Sequence, residues 1–326
     1  MPVLVTGAAG FIGYHVAAAL LARGETVVGV DNLNDYYDVR LKEARLARLA
    51  GSAGFAFARL DVADAAEAAA VVERHAGIDR VVHLAAQAGV RYSLVNPAAY
   101  TQSNVTGQLV MLELGRRLSS LRHMVYASSS SVYGGNTNLP FSVGDPVDRP
   151  LSLYAATKRA GELMAFNYSH LFGLPLTGLR FFTVYGPWGR PDMSAQIFVR
   201  AILAGQPITV FNQGNMRRDF TYIDDIVAGV LAALDRPPSA GDSGPPHRIY
   251  NLGNHRSEPL MRFIEVIERA CNRKARIEFA PLQPGDVPET YADIASSERD
   301  LGFAPRTTID EGIPRLVSWY RDFYRD

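Results

Sequence analysis

Tyr154-Ala155-Ala156-Thr157-Lys158 sets a phenol and an ammonium four residues apart. In a helix, positions i and i+4 share one face. A free tyrosine with a pKa of ~10 is too weak an acid to serve as a base at neutral pH. A nearby ammonium favours the phenolate, and a helix N-terminus acts the same way. A drop of about 3 units requires about 4 kcal/mol of differential stabilisation, so several charges must act together. Taken alone, the spacing is also that of an ordinary surface pair. Ser128-Ser129-Ser130-Ser131 follows an apolar run at 123–127. At the carboxyl edge of an open sheet, where ligands bind, a hydroxyl can hold an oxygen that is being oxidised. A plain polar turn accounts for one or two of the four serines.

A second set of residues suits a dinucleotide. Gly7-Ala8-Ala9-Gly10-Phe11-Ile12-Gly13 has glycines at the first, fourth and seventh places, after one apolar run and before a helical pattern. Glycines there permit a tight turn and let the backbone approach a pyrophosphate at the positive end of a helix. Gly13 would let that helix pack closely on its strand. Asp31 ends the next apolar run, where an acid accepts hydrogen bonds from the adenosine ribose. It would repel the additional phosphate of NADP, so NAD is the expected cofactor. Asp61-Val62 either contacts the adenine or supplies the N-cap of a helix starting near Ala65. Ala85-Ala86-Gln87-Ala88 is small enough for close approach to a cofactor.

These residues need a scaffold. Apolar runs at Val3–Thr6, 26–30, 55–60, 80–84, 123–127 and Leu176–Phe181 alternate with helical patterns such as 16–23 and 65–75. That rhythm predicts an α/β fold: a Rossmann-type, doubly wound parallel sheet whose strands are apolar throughout. After residue 182 the rhythm changes, with helices expected at 195–204, 224–234, 259–273 and 312–324 and strands at 208–211 and 248–252. The expected organisation is a dinucleotide-binding domain over 1–182, joined by a returning segment at about 212–235, and a smaller mixed α/β domain over 183–326. The segment 236–247, rich in Pro and Gly, is expected to be a mobile surface loop.

The chain has 326 residues, with 33 Lys plus Arg against 33 Asp plus Glu. A net charge of zero argues against a nucleic-acid partner. A single cysteine, Cys271, rules out an intrachain disulfide and a cysteine-based metal site, so no metal is expected. The apolar runs are too short for a bilayer, and the first residues do not resemble a signal peptide. The expected compartment is the cytoplasm.

The glycine pattern, Asp31, the serines before Val132-Tyr133-Gly134 and the Tyr154/Lys158 pair together resemble the extended short-chain dehydrogenase/reductase family of nucleotide-sugar enzymes. Within it, Asp31-Asn32-Leu33-Asn34-Asp35-Tyr36-Tyr37, Ala86-Gln87-Ala88-Gly89-Val90-Arg91-Tyr92-Ser93 and Thr183-Val184-Tyr185-Gly186-Pro187-Trp188-Gly189-Arg190-Pro191-Asp192-Met193 are similar to the UDP-glucuronate 4-epimerases. The resemblance implies a Ser/Tyr/Lys mechanism, tightly held NAD, a UDP-sugar substrate and a homodimer built from paired helices. It implies that Tyr154 removes the sugar 4-hydroxyl proton, that Lys158 holds the nicotinamide ribose, and that Ser129 bonds the 4-oxygen beside Ser128 and Ser130. Asn32, Leu84 and Asn104 join the expected cofactor set. Phe211 and Asp286 join the expected substrate set.

Arg218 matches the family arginine on the UDP phosphates, and otherwise is a surface arginine. A second phosphate-binding arginine of the galactose-type epimerases falls near Gln283, which leaves Arg91 as a substitute. Ala88 replaces a lysine of that subgroup. Arg190, with Thr183 nearby, would grip a sugar carboxylate through two donors, or else only stabilise its Gly/Pro-rich loop. Arg180 reads as half of a structural ion pair. A UDP-glucuronate decarboxylase, a UDP-glucose/galactose-type 4-epimerase and a non-catalytic NAD-binding protein remain alternatives. A sugar 4,6-dehydratase is disfavoured, because serines stand where those enzymes carry Asp-Glu.

Overall fold

The computed structural model describes residues 1–241, 244–283 and 285–324. Its first half alternates β1 (Val3–Thr6), α1 (Phe11–Ala22), β2 (Val27–Asp31), α2 (Val39–Ala50), β3 (Phe55–Arg59), α3 (Ala65–Arg74) and β4 (Arg80–His83). There follow α4 (Pro97–Tyr100), α5 (Gly107–Arg117), β5 (His123–Ser129), α6 (Leu153–Phe172) and β6 (Leu176–Phe181). A seven-stranded parallel sheet forms with the order β11-β6-β5-β4-β1-β2-β3, where β11 is His247–Leu252. Chain order reverses between β1 and β4, which opens a crevice at their carboxyl ends.

Side chains alternate across each strand, so the sheet feeds two cores. Val3, Val5, Val82 and Val125 enter one, while Leu4, Val81 and Met124 enter the other. Burial on both faces accounts for the apolar runs. β3 departs from that expectation. It is an edge strand, its burial alternates, and Phe57 is exposed.

The second half holds β7 (Thr183–Tyr185), α7 (Ser194–Ala204), β8 (Pro207–Phe211), β9 (Arg217–Arg218), β10 (Phe220–Tyr222) and α8 (Ile223–Leu234). After β11 come β12 (Glu258–Pro259), α9 (Leu260–Cys271), β13 (Arg276–Ala280), α10 (Ala295–Leu301) and α11 (Ile309–Tyr324). Three two-stranded pairs, β7 with β10, β8 with β13 and β9 with β12, frame this part. α8 packs on α1. Buried between the sheet and α8, α1 needs no polar face, and its sequence is apolar nearly all round.

β11 completes the large sheet, so the segment returning to it runs beyond the expected 212–235. The loop expected at 236–247 ends earlier, because His247 already pairs with Leu176. Asp242 and Ser243 lie outside the described residues. No helix among the described residues is long and apolar enough to cross a membrane.

Candidate active site

The crevice beside β1 is a cavity of ≈ 370 Å³. The glycine loop forms one wall. Gly7 has φ +71°, and a Cβ there would lie 2.9 Å from the Ala85 nitrogen. A Cβ on Gly13 would lie 2.0 Å from the Gly7 carbonyl oxygen. No larger residue fits at either place without moving backbone, so helix, turn and strand close up as a dinucleotide requires. Gly10, Phe11 and Ile12 line the same wall.

At the far end Asp31 accepts hydrogen bonds from the Ala9 and Leu33 amides at 3.2 and 2.9 Å. Asn32 donates to Asp61 at 3.1 Å, and Val62 completes that end. The reading of Asp61 as a helix N-cap is corrected: Asp64 caps α3 by accepting from Ala66 and Glu67. The reason is position, since Asp64 directly precedes the first helical residue. Leu84, Ala85, Ala86 and Gln87 form the floor. Asn104 is not at the cavity wall. Its amide clasps the Gln87 backbone at 2.8 and 3.0 Å and donates to Thr157 at 3.0 Å, joining the floor to α6. These residues fit NAD: a cradle with no room for Cβ atoms, an acid at the ribose end and a floor of small side chains.

Tyr154 sits in the first turn of α6, capped by the Ser152 hydroxyl, and Lys158 lies one turn on. Both line the cavity with Ser128, Ser129, Ser130, Thr183 and Arg190. Burial raises the Tyr154 pKa above its usual value, while a hydrogen bond with Ser129 and the charge of Arg190 pull it down. The expected lowering by Lys158 is not what the protein alone provides. Lys158 donates to the Ala127 carbonyl at 3.0 Å, and burial lowers its own pKa to about 8. Of the serines, Ser128 is spent on a second task, donating to Glu162 at 2.6 Å.

Glu162 continues the face of Tyr154 and Lys158 by one more turn. It receives Arg180 through two bonds of 2.8 and 2.9 Å, as well as Arg159 at 2.9 Å. The ion-pair reading of Arg180 gains its partner here. Arg190 is held by Asp192 through two bonds of 3.0 and 2.5 Å, and Tyr36 donates to the same carboxylate at 3.0 Å.

A smaller cavity of ≈ 190 Å³ adjoins the first and shares Val90, Ser130, Ser131 and Thr183 with it. Arg218 and Asp286 line it. Arg218 donates to the Arg217 and Pro288 carbonyls at 2.8 and 3.0 Å. Arg91 pairs with Asp286 at 3.1 Å and lies 4.5 Å from the centre of the Phe211 ring. Arg91 and Phe211 stand beside this cavity rather than in its wall. Among the sequence-expected residues near the departure at Gln283, Pro284 lies outside the described residues.

The sequence reading missed Glu162, Asp192 and Tyr36. Glu162 was accessible to it: Tyr154, Lys158 and Glu162 fall four residues apart on one stripe. Tyr36 and Asp192 lie 156 residues apart, and no local spacing announces that contact.

A glycine cradle at the crevice of a 3-2-1-4-5-6 sheet, with Ser, Tyr and Lys facing it, defines a dinucleotide-dependent enzyme of the short-chain dehydrogenase/reductase kind. Residues 3–253 match the model of the NAD dependent epimerase/dehydratase family, and the chain belongs to that family. Protein CapI of Staphylococcus aureus is 49% identical over the full length of both chains. UDP-glucuronate 4-epimerase 4 of Arabidopsis thaliana is 48% identical over 99% of this chain and 76% of its own. The crystal structure of UDP-glucuronic acid 4-epimerase from Bacillus cereus, in complex with UDP-glucuronic acid and NAD, is similar with a TM-score of 0.91 and 32% identity, covering 99% of this chain and 100% of that one.

Proposed function

We propose that this chain is an NAD-dependent 4-epimerase that interconverts UDP-glucuronate and UDP-galacturonate through a transient 4-keto sugar. The observation that carries this reading is the convergence of Ser129, Tyr154, Lys158 and Arg190 on one cavity with the glycine cradle. Relatives that bear this activity in their names match over nearly the whole chain.

NAD+, when bound, supplies the acceptor for the C4 hydride, returns that hydride, and adds positive charge beside the phenol. Tyr154 takes the proton of the 4-hydroxyl and gives it back. In the protein alone its pKa is raised by burial, so the phenol awaits added positive charge before it ionises. Ser129 lines the cavity with Tyr154 and holds the 4-oxygen, which keeps the proton's path short. Lys158 orients the ribose from its anchor on Ala127. The cavity, ≈ 370 Å³ in volume, would have to leave the 4-keto sugar room to turn over between its two faces. The small cavity takes the nucleotide end, with Arg218 at the phosphates.

Arg190, fixed by Asp192, receives the sugar carboxylate. A C4 ketone makes that acid a β-keto acid, which loses carbon dioxide if the breaking bond aligns with the carbonyl π system. A fixed guanidinium with Thr183 holds the carboxylate out of that alignment.

We also read the chain as a cytoplasmic homodimer. Leu109 on α5 and Leu163 and Phe166 on α6 are exposed, which supports burial of this face against a second copy. Sedimentation equilibrium at micromolar concentration checks it, and a single-chain mass contradicts it.

The function is tested by adding UDP-glucuronate to purified protein without added NAD and resolving the products by NMR. UDP-galacturonate is expected. UDP-xylose would mean a decarboxylase, and no turnover with or without NAD would mean a binding protein; either overturns the proposal.

A further inference from the structure

Arg45 on α2 is 0% exposed, yet every oxygen it donates to among the described residues is neutral. A buried charge without a counter-ion is costly unless every donor is satisfied. Here all five N–H groups reach oxygens. Nη1 donates to the Ala9 carbonyl and the Tyr37 hydroxyl, each at 2.8 Å. Nη2 donates to the Trp188 and Gly189 carbonyls at 2.5 and 3.2 Å, and Nε to Trp188 at 3.1 Å. Ala9 belongs to the glycine loop. Trp188 and Gly189 directly precede Arg190.

That second segment needs holding. Trp188 has φ +61°, a left-handed conformation that a residue with a large side chain keeps only when its surroundings over-determine it. His15 fixes the carbonyl one residue earlier, meeting Pro187 at 3.0 Å, and the Trp188 ring packs on Trp319 and Phe323. Among these side chains Arg45 is the one that hydrogen-bonds backbone carbonyls of both segments.

We propose that Arg45 is a positioning residue: it transmits the set of the glycine loop to Arg190 and thereby sets the affinity for the sugar carboxylate. The inference rests on Arg190 as the carboxylate ligand. Lysine cannot substitute. Its three donors radiate from a single nitrogen and do not span oxygens on opposite sides of a planar fork.

Binding of UDP-glucuronate and UDP-glucose is measured by calorimetry in NAD-loaded protein carrying Tyr154→Phe, which stops turnover. Arg45→Lys and Arg45→Gln are each added, with and without Arg190→Ala. We expect either Arg45 change to weaken UDP-glucuronate about ten-fold and UDP-glucose less than about two-fold, with no further loss once Arg190 is alanine. Equal weakening of both ligands, or additive losses with Arg190→Ala, overturns the role of Arg45 alone. An Arg190→Ala protein that binds UDP-glucuronate normally refutes the carboxylate reading itself, and this inference with it. Should the Arg45 variants not fold, hydrogen exchange in the unsubstituted holoenzyme decides the matter. Amides of residues 7–13 and 186–190 should open as one unit as denaturant rises, and independent opening overturns the coupling.

Discussion

Replacing Glu162 with glutamine keeps its shape and removes its charge. In the intact protein Glu162 is buried, receives two bonds from Arg180, and takes one each from Arg159 and Ser128. Burial works against its ionisation, but Arg180, Ser128 and Arg159 together outweigh that, and its pKa stays below the usual carboxylate range. Arg180 is itself 2% exposed, so the variant strands a buried guanidinium. Breaking one side of such a pair costs about 3–5 kcal/mol. With an unfolding entropy of about 2.1 cal/mol/K per residue, the whole chain has roughly 0.7 kcal/mol/K. The expected fall in melting temperature is therefore about 4–7 °C. Differential scanning calorimetry reads it directly. The double variant Glu162→Met/Arg180→Leu should recover most of the loss, because an apolar replacement of both partners removes the buried guanidinium, while Arg159, whose side chain is 29% exposed, can turn to solvent. A single variant that melts within about 1 °C of the parent, or a double variant no better than the single, refutes the reasoning.

Gly13→Ala would set a methyl 2.0 Å from the Gly7 oxygen, so the purified variant should carry little NAD, as measured by absorbance after acid release; undiminished NAD content would contradict the cradle. Stability should fall as pH drops below 6.5. Burial lowers the pKa of His83 to about 3 and those of His15, His123 and His247 to about 4, so the unfolded chain binds protons that the native one refuses. Their stabilising effect is full above the unfolded value of about 6.5 and is lost as pH falls toward the native values, at about 1.4 kcal/mol per pH unit for each group. Asp219, raised to about 6 by burial, titrates in the opposite sense and offsets part of the loss. A net decrease on the order of 5 kcal/mol is expected between pH 6.5 and 5 by urea denaturation; flat or rising stability would count against it.

The elements that position the site were legible where local pattern decides them. Val3–Thr6 is buried on both faces and reads as a strand, and Gly7, Gly10 and Gly13 mark the turn that only glycines allow. Tyr154 and Lys158 share a helix face by spacing alone. Two kinds of information were missing. The pKa of Tyr154 depends on burial and on Arg190, a residue 36 positions away, and the i+4 rule said nothing of either. Contacts between distant segments were also hidden. Arg45 lies on the stripe Leu41, Arg45, Leu49, and a charge at the centre of an apolar stripe was the available signal that it is buried with partners. What it holds, Ala9 on one side and Trp188 on the other, is set only when β1 and the loop after β7 close on α2.

The central claim is that one carbon gives up its hydrogen and takes the same hydrogen back. UDP-glucuronate deuterated at C4 tests it most directly. Turned over in ordinary water with no added NAD, it should yield UDP-galacturonate that keeps the deuterium at C4, as read by NMR and mass spectrometry. Loss of the label to solvent would contradict the account.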